Sequence, residues 1–108
     1  MKQMVSTFNQ GIIYVIDSCD STTRFNESKL QLMSLLVEER LAGASLLIFC
    51  NKFDLQGHRS LKEISDLLGI DDIKSHHVEI IECSAYQGLN LVKGLNWIVD
   101  DISKRIYV

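Results

Sequence analysis

Two unbroken apolar runs, separated by a helical pattern, constrain the fold of this chain more than any other feature of its sequence. Residues 11–17 read GIIYVID, and residues 45–51 read SLLIFCN. Continuous apolar runs rich in β-branched residues are typical of strands buried on both faces, as in a parallel sheet covered by helices. The two runs therefore predict an α/β fold.

Helical patterns follow each of these strands. Within residues 24–41, the apolar residues at helical spacing are Phe25, Leu32, Met33 and Leu36. Gly43 lies just beyond, where a left-handed residue is expected to close the helix. Ser60 and Glu63 have the spacing of a capping box, which predicts a second helix that ends at Gly69.

The third strand and the last helix complete the pattern. Residues 77–83 (HVEIIEC) alternate more, which predicts a strand that lies at the sheet edge or is less fully covered. A final helix is expected from about Asn90, and its apolar stripe consists of Leu91, Leu95, Ile98, Ile102 and Ile106. This order predicts three parallel strands alternating with three helices. Ligands of such sheets bind at the carboxyl ends of the strands, so chemistry is expected directly after Asp17, Asn51 and Cys83.

The composition fits one small cytoplasmic domain. The chain has 108 residues, of which 46% are hydrophobic, and a net charge of −3 with both signs mixed. A nucleic-acid partner is not expected, because such proteins usually present a basic face. No apolar run approaches the roughly 20 residues of a transmembrane segment. The widely spaced cysteines, predicted to be buried or half-buried reduced thiols, are Cys19, Cys50 and Cys83.

The sequence after the second strand, Asn51-Lys52-Phe53-Asp54, resembles Asn-Lys-x-Asp, the guanine-recognition motif of the GTPase superfamily. A fixed carboxylate at Asp54 can accept two hydrogen bonds, from the ring N–H and the exocyclic amine of guanine. Adenine lacks this pair of donors and would leave the carboxylate unpaired. Asn51 can offer its amide to the ring and connect neighbouring loops, and Lys52 can lay its methylene stem across the base. A capped turn is the alternative interpretation of these four residues taken alone.

A second loop strengthens the guanine interpretation. Cys83-Ser84-Ala85 follows the third strand and resembles the second base-binding loop of the GTPase superfamily, so two candidate base-binding loops lie at consecutive strand ends. The alternative of a different α/β fold, such as a receiver-like domain, is disfavoured by this pair. Adjacent histidines, His76 and His77, are expected in a solvated turn rather than in a metal site.

Several segments resemble the Arf family of small GTPases, and within it the second Arf-like subfamily. The longest is LLVEERLAGASLLIFCNKFDLQG at residues 35–57. The other similar segments are YVIDSCD at 14–20, IKSHH at 73–77, CSAYQGLNL at 83–91 and WIVDDIS at 97–103. The resemblance implies that residues 11–108 are the C-terminal part of a P-loop NTPase (small GTPase) fold, preceded by a divergent segment at residues 1–10.

The resemblance also implies a ligand and partners. GTP or GDP is expected, with the base held by Asn51, Lys52, Asp54, Ser84 and Ala85. The backbone N–H at Ala85 would meet the guanine carbonyl oxygen. Members of the subfamily are linked with tubulin-folding cofactor D and microtubule biogenesis, so this cofactor or other Arf-like effectors are the expected partners.

The phosphate-handling motifs of the family are missing from this sequence. No Gly-Lys dipeptide of a phosphate loop occurs, and neither do the switch motifs. The Mg²⁺ of the family therefore has no predicted ligand here, and hydrolysis of GTP by this chain alone is not expected. No residue is assigned a catalytic role, and this applies to Asp17 and Asp20 as well. Residues before Gly11 look too few and too polar to cover the strand at 11–17, whose edge is expected to be unpaired.

Three positions depart from the family pattern. Phe53 and Gln56 replace the usual glutamine and proline, which bears on loop shape. Tyr86 stands where smaller residues or lysine are usual, and it either covers the base or blocks it. Two functional alternatives remain: a nucleotide-independent module that binds a partner, and an incomplete gene product without independent function.

Overall fold

The computed structural model describes residues 4–8 and 10–106, with side chains for residues 10–105. The strands are β1 (Met4–Phe8), β2 (Gly11–Asp17), β3 (Ser45–Asn51) and β4 (Val78–Glu82), and the helices are α1 (Thr22–Leu36), α2 (Leu61–Leu68) and α3 (Leu91–Ile106). The four strands lie side by side in the order β1-β2-β3-β4, and β2, β3 and β4 are parallel to one another. The predicted α/β fold of three parallel strands and three helices is confirmed, with β4 at the edge.

The expectation that the outer edge of β2 would be unpaired is wrong. β1 runs antiparallel to β2, with Met4 opposite Val15 and Phe8 opposite Gly11. An antiparallel partner needs only a short turn, so even a few residues suffice to reach the neighbouring edge. The backbone N–H and C=O groups of β2 thus gain partners that an exposed edge would leave to solvent.

Helix α1 is shorter than predicted. It begins after Ser21, whose hydroxyl accepts a hydrogen bond from Arg24 N at 3.2 Å, and it ends at Leu36 rather than Leu41. On a continued helix, Leu41 would point away from the buried face that carries Phe25. The break and a following 3₁₀ turn instead turn Leu41 into the core, where it is fully buried.

The sheet is covered by helices on both faces. α1 and α2 pack on one face, against the even-numbered residues of β2 and β3. That core contains Ile12, Tyr14, Ile16, Phe25, Leu32, Leu46, Ile48, Ile64 and Leu68. α3 covers the other face, where Leu47, Phe49, Ile81, Cys83 and Ile98 form a second cluster with the half-buried Ile13 and Val15. None of the helices in the described ranges is long and apolar enough to cross a membrane.

The structure confirms the predicted capping box of α2 but differs from the sequence expectations at Leu95 and His76. The capping box of α2 is confirmed, because Ser60 and Glu63 each bond the other's backbone N–H, at 3.1 and 3.2 Å. Leu95, part of the apolar stripe predicted for α3, is 45% exposed, and the side chain of Ile106 lies outside the described residues. His76 is not in a solvated turn: it is buried, and its Nε2 lies 2.9 Å from the carbonyl oxygen of Leu41. This bond gives the buried ring a partner and holds the 3₁₀ turn against β4.

Candidate functional site

A cavity of about 360 Å³ lies where β3 and β4 end. Its lining residues are Asn51, Lys52, Asp54, Leu55, Ser84 and Tyr86. Four of the five residues predicted to bind the base therefore line one cavity. The fifth, Ala85, lines an adjacent apolar groove instead, together with Ile13, Val15, Phe49, Asn51, Cys83 and Leu91.

Asn51 connects the two loops of the cavity. Its Oδ1 accepts a hydrogen bond from Ala85 N at 2.9 Å, and its backbone carbonyl accepts one from Ser18 N at 3.1 Å. Phe53 N donates to the carbonyl oxygen of Cys83 at 3.1 Å, which adds a second link between the same loops. The Ala85 N–H that the resemblance assigns to guanine is thus bonded to Asn51 in this structure, and its contact with the base stays a prediction.

Ser84 and its neighbours close the second loop. The backbones of Ser84 and Leu89 exchange two hydrogen bonds, at 3.0 and 3.3 Å. The Ser84 hydroxyl accepts a third from Gln87 N at 3.2 Å, inside the loop. Gly88 adopts a φ of 73°, a conformation that favours glycine and lets this short loop turn back. The loop that carries Tyr86 is therefore fixed at both ends.

Lys52 combines an unusual backbone conformation with an ion pair. Its φ of 67° lies in the left-handed region, which costs free energy for a residue with a side chain. Its Nζ lies 2.8 Å from Oδ2 of Asp17, a buried carboxylate at the end of β2. The hydrogen bond to Asp17 raises the pKa of Lys52 above its usual value. Asp17 Oδ1 in turn accepts a hydrogen bond from Cys19 N at 2.8 Å.

Asp54 presents a free carboxylate to the cavity. The residue is exposed, and within the described part of the chain its side chain makes no hydrogen bond or ion pair. A carboxylate directed at a cavity without a protein partner has its acceptor sites available for a ligand. Paired N–H donors spaced as on the edge of guanine suit such a group.

The cysteines near the site are protonated thiols at neutral pH. Cys19 is exposed, but partial desolvation, and then the negative charge of Asp17, raises the pKa of its thiol. Burial raises the pKa of Cys83 to about 11 and holds that of Cys50 higher still. Because the thiolate is the reactive form, none of the three is suited to nucleophilic chemistry. All three are free, and Cys50 and Cys83 are buried as predicted, but the expectation that Cys19 would be at least half-buried is wrong, because it is exposed.

Two features of the site were missed by sequence reasoning. Asp17 was assigned no role, although its place at a strand end was a signal that it faces the site. Leu55 lines the cavity, and no pattern in the sequence indicates this. Phe53, noted only as a departure, stacks on His58 with ring centroids 4.2 Å apart and so fixes the shape of the loop.

No group of His, Cys, Asp or Glu side chains that could hold a metal ion occurs in the residues described.

Comparison with known proteins decides the family. The profile of the ADP-ribosylation factor family matches residues 4–102. The chain belongs to the Arf family. Proteins called ADP-ribosylation factor-like protein 2 are similar to this Arf-family chain: that of Dictyostelium discoideum is 46% identical over 93% of the chain and 54% of its own length. The Arabidopsis thaliana protein is 46% identical over 91% and 53%, and that of Drosophila melanogaster 43% over 90% and 52%.

These matches confirm the resemblance to Arf-like proteins. They also show that the chain spans about half the length of the curated relatives it matches. The matched region begins within β1, before the boundary at residue 10 expected from sequence. That boundary stays a prediction.

Proposed function

We propose that this Arf-family chain binds the base of GTP or GDP in the cavity between the loops after β3 and β4. Asp54 accepts the two guanine donors, Lys52 covers one face of the ring, and Asn51 and Ser84 hold the loops in place. The observation that carries the proposal is the unpaired Asp54 carboxylate, which lines the same cavity as the other three residues.

The charges around the cavity suit a base rather than a phosphate group. Lys52 is the one cation among the described lining residues, and its ammonium is already paired with Asp17 at 2.8 Å. The carboxylates of Asp17, Asp20 and Asp54 all lie near enough to act on the Cys19 thiol. Because like charges repel a phosphate here, we infer that the phosphates add little to binding by this chain.

This arrangement implies weak and selective binding. A few hydrogen bonds to a charged group, each worth about 1–3 kcal/mol, give a binding free energy of roughly 4–6 kcal/mol. The corresponding dissociation constant lies between about millimolar and tens of micromolar. GTP hydrolysis by these 108 residues alone is not part of the proposal, because the phosphate loop, the switch motifs and ligands for Mg²⁺ are missing from the sequence.

The first test is a titration of the 108-residue chain followed by amide NMR. GDP is expected to shift the resonances of Asn51, Asp54 and Ala85, and ADP is not. Guanosine is expected to bind within about threefold of GDP, since a change of that size is under 1 kcal/mol. Equal responses to GDP and ADP would refute base recognition by this chain.

The substitution Asp54→Asn provides the sharper test. An amide in place of the carboxylate can donate to a carbonyl oxygen, so the variant should prefer xanthine, which has an oxygen in place of the guanine amine. We expect weaker binding of GDP and stronger binding of xanthosine diphosphate. Asp20→Asn, which removes the same charge outside the cavity lining, should leave the preference for guanine unchanged.

The expected partner and location follow from the family and remain part of the proposal. We infer a cytoplasmic protein that takes part in microtubule biogenesis through tubulin-folding cofactor D or another Arf-like effector. Co-precipitation of that cofactor with this chain, with and without GDP, would test the partner and its dependence on nucleotide.

A further inference from the structure

Tyr86 is an aromatic side chain with no ring or hydrogen-bond partner among the described residues. It is 94% exposed, more than any other large hydrophobic side chain in the described residues. Within those residues its ring stacks on no other ring and its hydroxyl makes no hydrogen bond. Exposing so much aromatic surface to water is unfavourable, and no ring stacking or hydrogen bond among the described residues offsets this cost.

The position of Tyr86 connects it to the cavity. It lines the cavity beside Lys52 and Asp54, yet its high exposure means that its ring does not fill the space. The sequence left two possibilities for Tyr86, covering the base or blocking it. In this structure the ring leaves the cavity open, so blocking is not what the geometry favours.

The loop holds the backbone of Tyr86 while leaving its side chain free. Ala85, the preceding residue, is bonded to Asn51, and Ser84 is bonded to Gln87 and Leu89. The Cα of Tyr86 is therefore anchored, and only rotations about the side-chain bonds are needed to move the ring over the cavity. A fixed attachment point with a free ring limits the entropy lost when the ring is ordered.

We propose that Tyr86 stacks on the purine ring of the bound nucleotide and forms the outer wall of the site. The inference rests on the proposed function, since it requires a base in the cavity. The stem of Lys52 and the ring of Tyr86 then hold the base, while Asp54 recognises its edge. Stacking depends on the π-face that every base has, so Tyr86 supplies affinity and Asp54 supplies selectivity.

This division between affinity and selectivity is tested with Tyr86→Leu. The variant is expected to bind GDP about five- to 150-fold more weakly, which corresponds to the loss of one stacked aromatic ring. Inosine diphosphate, which lacks the exocyclic amine, should weaken by the same factor, so that the ratio of the two affinities stays unchanged. Tyr86→Phe should bind as the unsubstituted chain does, because the hydroxyl has no role.

Leu89→Ala is the matched control. Leu89 is an exposed hydrophobic residue of the same loop, at 45%, and it does not line the cavity. Replacing Leu89 should leave the affinities for GDP and inosine diphosphate unchanged. In the unsubstituted chain, nuclear Overhauser contacts should appear between the Tyr86 ring and the guanine H8 proton. Tyr86→Leu binding as well as or better than the unsubstituted chain would overturn the inference while leaving base recognition intact. An unsubstituted chain that does not select GDP would overturn both.

Discussion

At the scale of single residues, the site depends on how Lys52 is held. A left-handed backbone conformation at a lysine persists only where its surroundings impose it. Here the backbone is held by hydrogen bonds from Phe53 N to the carbonyl oxygen of Cys83 and from Leu55 N to that of Lys52, both at 3.1 Å, while the 2.8 Å ion pair with Asp17 fixes the far end of the side chain. The methylene stem between these two fixed points is thereby directed along the wall of the cavity.

Replacing Asp17 with asparagine tests this anchoring. The pKa of Lys52, followed by NMR of its Cε, should fall towards 10.5 because its main raising interaction is lost. Guanosine should bind several-fold more weakly, because the stem is no longer held. Guanosine carries no phosphate, so removal of a negative charge cannot itself account for a change in its binding.

The control for charge is Asp20→Asn, which removes a carboxylate near Lys52 that makes no hydrogen bond to it. For the anionic ligand GDP, loss of either carboxylate reduces repulsion and should favour binding slightly. Weaker binding of guanosine by Asp17→Asn alone therefore separates anchoring from electrostatics. Unchanged guanosine affinity in Asp17→Asn would show that the ion pair does not shape the site.

At the scale of helices and strands, sequence patterns predicted what depends on local rules. The runs at residues 11–17 and 45–51 became β2 and β3 with the predicted bounds, because strands covered on both faces require continuous apolar residues. The end of α1 at Leu36 was missed, because helical periodicity does not show that Leu41 must be buried in the tertiary structure. β1 was missed because its stability comes from pairing with β2, and its own composition gives little signal.

A close approach between α3 and the sheet gives the next prediction. A Cβ added to Gly94 would lie 3.3 Å from Leu47 Cδ2 and closer still to the ring of Phe49. Phe49 belongs to the core of that face and is buried. Gly94→Ala gains about 1 kcal/mol of helix propensity but overpacks the core, which costs about 1–3 kcal/mol.

We expect the overpacking to prevail, so that Gly94→Ala lowers the midpoint of urea unfolding without changing the slope m. Ser103→Ala, at an exposed position of the same helix, should be neutral or slightly stabilising. A stabilised Gly94→Ala chain would mean that α3 can move away from Phe49 at little cost.

At the scale of the whole molecule, the two ends of the sheet differ in the groups that they carry. The carboxyl end holds the cavity, and the amino end holds a polar cluster that joins distant parts of the chain. Arg105 of α3 donates to the carbonyl oxygen of Gln10 at 2.8 Å and to the hydroxyl of Ser45 at 2.7 Å. Asp101 accepts hydrogen bonds from Ser45 and from His77 Nδ1, the latter at 3.0 Å. The cluster thus links α3 to β3, to β4 and to the turn before β2.

This cluster predicts how stability depends on pH. Burial acts to raise the pKa of Asp101, but hydrogen bonds from Ser45 and His77 and the charges of His77 and Arg105 hold it below its usual 3.8. A carboxyl whose pKa is lower in the folded state stabilises the fold above the unfolded pKa. That contribution is lost as pH falls through the folded pKa. The loss is expected from about pH 5 downwards.

The difference between the unsubstituted chain and Asp101→Asn isolates this carboxyl from the other acids. The free energy of unfolding of Asp101→Asn should be lower at neutral pH, and the two curves should converge as the medium becomes more acid than the folded pKa. Convergence follows because both side chains are then uncharged. Asp100→Asn, at the exposed neighbouring position, should run parallel to the unsubstituted chain. If the Asp101→Asn curve also ran parallel, then the cluster would not stabilise the fold through this charge, and the bonds of Arg105 to Gln10 and Ser45, together with the packing of α3, would join α3 to the sheet.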